Sequence, residues 1–230
     1  MTKNIAIILS GCGVYDGSEI YETTLTLLHL DKAGASYQCF APNVPQAHVT
    51  DYQTGEVDEN DSRNVLAESA RLARGEIKDI AEANPADIDA IIFPGGFGAA
   101  KNLSNFAFED NPEKIKVEEA TARLVQEGFA AGIPFGFICI TPACVAAKAL
   151  EGKGLTLTIG DDKATAKQIE ALGHTHINTT VRETVRDQNN PVVSTAAYML
   201  GQNLAEVEEG ISKLVREVLD MAQSRDRKSA

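Results

Sequence analysis

Three short, almost wholly apolar runs, each ended by glycine, proline or cysteine, constrain the fold of this chain more than any other feature. Residues 4–10, 90–93 and 134–138 lack polar alternation, which is the pattern of strands buried on both faces. A strand covered above and below needs helices on both sides, and helix-like stretches follow each run. The pattern predicts an α/β fold: a three-layer sandwich around a mostly parallel, flavodoxin-like sheet.

The remaining segments fit this plan. Ser18 is the expected N-cap of a first helix that carries Glu19 in its first turn and stops at Gly34. Residues 36–41 read as a second strand, and residues 42–61 as a long polar loop of the length that often serves a function. Ser62 is expected to cap a second helix through Arg74. Residues 97–113 read as irregular, and residues 113–130 as a helix ended by Gly132. A helix starting near Pro142, a strand over 155–158 and a helix over 163–172 come next. Residues 181–186 and 192–196 flank the turn Asp187-Gln188-Asn189-Asn190 as a hairpin. An amphipathic helix over 204–222 closes a single domain spanning 1–230, with 224–230 as a frayed tail.

Function concentrates at residues 133–142, Ile-Pro-Phe-Gly-Phe-Ile-Cys-Ile-Thr-Pro. A strand that stops at Cys139 and restarts as a helix within three residues makes a nucleophile elbow, which projects the side chain at the carboxyl end of the sheet. The following helix N-terminus is expected to favour thiolate. Cys139 reads either as a nucleophile or as a buried structural cysteine. Gly95 and Gly96, after the strand at 90–93, leave room for backbone N–H groups to approach a substrate. The N–H groups of Gly96 and Ile140 form a candidate oxyanion hole. Glu22, in the second turn of the first helix, is a candidate proton partner for Cys139.

Together these segments resemble the class I glutamine amidotransferase-like superfamily that includes PfpI proteases and the parkinsonism-associated deglycases. Within it the chain is similar to the ElbB-type glyoxalases, also called enhancing-lycopene-biosynthesis or sigma cross-reacting proteins. The similarity lies in residues 11–20, 48–56, 63–66 and 94–103. It implies Cys139 as nucleophile, Glu22 as its glutamate, and Gly96 and Ile140 as oxyanion-hole backbone. It also implies glutathione-independent conversion of a small aldehyde, glyoxal, to glycolate, with no cofactor and in a homodimer. Ile140 stands where the superfamily's proteases carry His, and the late His-x-Glu pair of its glutaminases is absent. A non-catalytic, redox-sensing protein that uses the same thiol is the alternative.

Cys12, His48 and Asn102, with Tyr21, are further pocket candidates. His174-Thr175-His176 reads as a solvated turn rather than a metal site, and His29 and Cys144 as packing residues. No metal is expected. The segment from Gly11 to Gly17 is one residue too long for a dinucleotide fingerprint, and the second strand ends without an acidic residue to grip a ribose. A net charge of −12 disfavours nucleic acid and anionic membranes as partners. No apolar stretch approaches the ~20 residues of a membrane span. Four cysteines without C-x-x-C spacing read as reduced thiols, and hence a cytoplasmic location.

Overall fold

The continuous apolar runs form the middle of a sheet, where only such runs can be buried on both faces. The computed structural model describes the backbone of residues 2–229 and the side chains of residues 2–225. Among these, seven strands make the main sheet: β1 (Asn4–Ile8), β2 (Ser36–Ala41), β3 (Ile77–Asp79), β4 (Ala90–Phe93), β5 (Phe135–Ile138), β8 (Thr184–Arg186) and β9 (Val192–Thr195). Their order is β3-β2-β1-β4-β5-β9-β8, and all neighbours are parallel except β8 and β9, which form the expected hairpin. The central strands β4, β5 and β9 are buried at every position.

The helices are α1 (Ile20–Lys32), α2 (Val65–Leu72), α3 (Phe97–Asn102), α4 (Glu119–Ala130), α5 (Ala147–Ala149), α6 (Lys163–Ala171) and α7 (Leu204–Ser229). Successive residues of a strand face opposite sides, and β5 uses this to hold two layers apart. Phe135 reaches Gly128 of α4, while Gly136 lies under Leu214 and Val218 of α7. A Cβ on Gly136 would come within 2.7 Å of Leu214 Cδ2, so the α7 layer sits close to the sheet only because residue 136 has no side chain. Helix α1 packs beside α7, completing the three-layer α/β sandwich. No helix among the described residues is long and apolar enough to cross a membrane.

Several expected boundaries move, each because a side chain is used differently. Ser18 does not cap α1. It is fully buried, and its Oγ accepts the Ser10 N–H at 2.8 Å. Glu19 caps instead, its carboxylate accepting the Glu22 N–H at 2.6 Å. Asn64 rather than Ser62 caps α2, through the Ala67 N–H. Glu118 caps α4 by accepting from the N–H groups of Ala120 and Thr121, so that helix begins later than residue 113. Phe97–Asn102, within the stretch expected to be irregular, is helix α3. The strand expected over 155–158 is β6 (Thr156–Leu157), which pairs with β7 (Thr175–His176) outside the main sheet. Helix α7 runs on to Ser229, past its expected end at residue 222; residue 230 lies outside the described residues.

Candidate active site

Strand β5 ends at Ile138, and the next residue turns the chain. Cys139 has φ of 62°, a left-handed conformation that costs a non-glycine residue about 1–2 kcal/mol. The surroundings hold it there. The Cys139 N–H donates to Thr195 O on β9 at 2.9 Å. Thr141 locks the far side of the turn, its Oγ accepting from the Ile138 N–H at 2.9 Å while its hydroxyl lies 2.8 Å from Ile138 O and 3.1 Å from Phe93 O. The chain then continues as a π-helical segment, Pro142–Ala146, before α5. π-Turns of this kind recur at functional sites.

Helix α1 enters the site beside the loop after β4, and the two segments are bonded reciprocally. The Glu19 N–H donates to Gly95 O at 2.9 Å, and the Gly95 N–H donates to Glu22 Oε2 at 2.8 Å. The other oxygen, Oε1, accepts the Tyr198 N–H at 3.2 Å. Glu22 is fully buried, and its carboxyl lies beside the Cys139 thiol, where the two groups shift each other's titration. Gly95 is required by this closeness. A Cβ there would lie 2.4 Å from Cys139 Cβ and 2.7 Å from Glu22 Oε2, distances no packed side chain tolerates. Gly96 has φ of 100° and a backbone pressed against residues 17–19. Its N–H and that of Ile140 lie close enough to the Cys139 sulfur to favour its ionised form.

Burial dominates the electrostatics. Desolvation, with Glu19 nearby, pushes the Glu22 carboxyl up to about 7, against the opposing pull of the Tyr198 and Gly95 N–H groups. Desolvation and the Glu22 charge hold the Cys139 thiol well above its ordinary value, although the Gly96 and Ile140 N–H groups act in the other direction. This corrects the expectation that the elbow helix makes a resting thiolate: residue 139 is only 8% exposed, and the cost of burying a charge outweighs the helix end. Near neutral pH the pair therefore holds its sulfur proton and shares the titration of the carboxyl.

A cavity of roughly 380 Å³ opens above the pair, floored by Cys139, Ile140 and Gly96. Gly95, Cys12, His48 and Asn102, the expected pocket residues, do not line it. Asn102 commits its amide to Ser10 O, Asp16 O and the Ala47 N–H, joining α3 to the loops beside it. His48 packs edge-on against Phe108, with ring centroids 5.2 Å apart. Cys12 lies half-buried near Glu68 and Arg71, its thiol raised chiefly by burial. Tyr21 is exposed and meets the cavity only through its ring contact with Tyr198. His174 and His176 are not a solvated turn: His174 is buried and accepts the Leu155 N–H on Nδ1, and His176 accepts the Ile159 N–H. His29 contacts Glu208 across α1 and α7 at 2.7 Å.

Sequence reasoning missed Tyr198 and Glu19 as parts of the site. Tyr198 acts through its backbone N–H, presented by the strained turn at Ala197 (φ 44°), and no side-chain pattern announces such a donor. Glu19 was legible as an acid in the first helical turn, but not as the cap that also lines the cavity.

Across 94% of the chain, 46% of residues are identical to human "glutamine amidotransferase-like class 1 domain-containing protein 3, mitochondrial", 82% of which is covered. Among solved structures, an isoprenoid biosynthesis protein with amidotransferase-like domain from Ehrlichia chaffeensis is 36% identical and superposes with a TM-score of 0.88. That match covers 96% of this chain and 99% of the other. Drosophila melanogaster DJ-1beta shares the fold at a TM-score of 0.56 and 17% identity, with 97% of each chain covered. No family model matches the chain. The cytoplasmic expectation is overturned, because the human protein and the rat and zebrafish ES1 proteins are all named as mitochondrial. The free thiols on which that expectation rested suit any reducing compartment.

Proposed function

The chain belongs to the ES1 family of glutamine amidotransferase-like class 1 domain proteins, and on that footing we propose that it is a Cys–Glu enzyme of small 2-oxoaldehydes, converting glyoxal to glycolate without glutathione. The observation that carries this reading is the buried Glu22 carboxyl, held by two backbone N–H groups against the thiol of an elbow cysteine. A proton acceptor at about 7 beside a protonated thiol is poised for general-base chemistry at neutral pH.

The steps balance without an external oxidant. As Sγ bonds to one aldehyde carbon, the C=O π pair moves to oxygen and the thiol proton passes to Glu22. In this reading the N–H groups of Gly96 and Ile140, which already favour charge on the sulfur, stabilise the oxyanion as it forms. Glu22 returns its proton to that oxygen, giving a neutral hemithioacetal. It then takes the proton on the same carbon, and the resulting enediolate is reprotonated on the neighbouring carbon, while the hydroxyl proton of the first carbon passes to the oxygen of the second. One carbon is oxidised to a thioester while the other is reduced to a hydroxymethyl group. Water cleaves the thioester, releasing glycolate and restoring the thiol.

The redox-sensing alternative needs a thiolate at rest, and burial argues against one at Cys139. Carbon-13 NMR of labelled glyoxal with purified protein and no glutathione separates the two. We expect labelled glycolate to form in proportion to protein concentration. No glycolate, together with rapid oxidation of Cys139 by dilute peroxide, would replace the enzyme reading with the sensor.

A further inference from the structure

The cavity over Cys139 is much larger than glyoxal requires. At the ~30 Å³ that one water takes in the liquid, roughly 380 Å³ corresponds to about a dozen non-hydrogen atoms, whereas glyoxal has four. The walls above the reactive floor are formed mainly by Val14, Phe97, Phe106, Tyr198 and Met199, with Thr165 and alanines between them. Among the described residues, the only charged one that lines the space is Glu19, an acid already committed to capping α1. No Lys, Arg or His among the described residues lines it. Lys101, on α3, instead donates its ammonium to Tyr15 O at 2.9 Å. A negatively charged group would enter next to Glu19 and Glu22 with no cation to receive it, while an apolar tail would exchange water for hydrocarbon walls.

We infer that this site selects uncharged carbonyl substrates carrying an apolar tail of about the size of a phenyl ring, and excludes anionic ones of the same size. This rests on the Cys–Glu reading above and deepens it. It assigns specificity to the walls, and chemistry to the floor.

Two measurements test it. The first compares kcat/KM, counted per unhydrated aldehyde, for glyoxal, phenylglyoxal and 4-carboxyphenylglyoxal. Phenylglyoxal is expected to exceed glyoxal at least tenfold, and its carboxylated analogue to fall at least tenfold below phenylglyoxal. Ala107→Lys, which places a cation at an exposed lining position, is expected to narrow that second ratio. The second measurement needs no turnover. Alkylation of Cys139 by N-benzyl iodoacetamide, iodoacetamide and iodoacetate is followed by peptide mass spectrometry and normalised to each reagent's rate with a free thiol. The benzyl reagent should be fastest, and iodoacetate at least tenfold slower than iodoacetamide. Cys139-dependent turnover with phenylglyoxal no better than glyoxal, or with the carboxylate accepted equally, overturns the inference and leaves the proposed function standing. If none of the aldehydes is turned over, the proposed function falls. The alkylation ratios then decide the selectivity alone, and equal normalised rates for iodoacetate and iodoacetamide overturn it.

Discussion

Replacing Cys139 by Ala is expected to reduce glycolate formation from glyoxal to the uncatalysed background, a loss of at least about 10³-fold. The alternative sulfurs are badly placed to compensate. Cys144 is fully buried one turn into the following segment, and Cys12 does not line the cavity. Glu22 and the backbone donors of Gly96 and Ile140 would remain, but without a covalent bond to the aldehyde carbon there is no hemithioacetal to rearrange. The fold should survive. The substitution removes one sulfur atom from a turn whose strained φ of 62° is imposed by bonds from Thr141 and Thr195. Matched circular dichroism and thermal unfolding would separate loss of chemistry from loss of structure.

Glu22→Gln carries the second-largest effect, a fall in kcat/KM of about 10²–10⁴-fold, the range for removing a positioned general base. Its distinguishing signature lies in pH. Because burial raises the Glu22 carboxyl to about 7, the wild-type rate should climb as pH rises through that value and then level. The residual rate of the Gln protein should lack that rise. Stability carries the opposite sign. Between the ordinary carboxylate value and about 7, the folded state binds the Glu22 proton more tightly than the unfolded state. Wild-type stability contributed by this group is therefore full in acid and is lost as pH rises, by about 3 kcal/mol across that window. The pH dependence of stability in the Gln protein, subtracted from that of wild type, should show this slope. Gln keeps one acceptor for the two N–H groups that hold Glu22, so some destabilisation independent of pH accompanies the change.

The residues that were legible in the sequence are those whose type is forced by geometry. Cys139 stands out because a buried strand cannot restart as a helix within three residues without a sharp turn. Gly95 stands out because nothing larger fits between Cys139 and Glu22. The sheet was legible for a related reason: the runs that became β1, β4 and β5 admit no exposed face. What escaped was set by neighbours distant in sequence. Ser18 looks like a helix cap until Ser10 takes its hydroxyl. Asn102 and His48 sit beside pocket-forming loops but turn toward other backbone and rings. The Tyr198 N–H reaches Glu22 from 176 residues away, through a main-chain atom that every residue except proline possesses. The protonation of Cys139 depends on how deeply the elbow is buried, and local pattern does not encode depth.

The proposed chemistry depends above all on a covalent bond between Cys139 and the aldehyde carbon. Rapid acid quenching of wild-type protein during glyoxal turnover, followed by peptide mass spectrometry, reads that bond directly. The peptide carrying Cys139 is expected to gain the mass of one glyoxal while glycolate accumulates, and to return to its original mass once substrate is exhausted. Continued glycolate production with that peptide unmodified throughout, and adducts confined to arginine and lysine side chains, would contradict it.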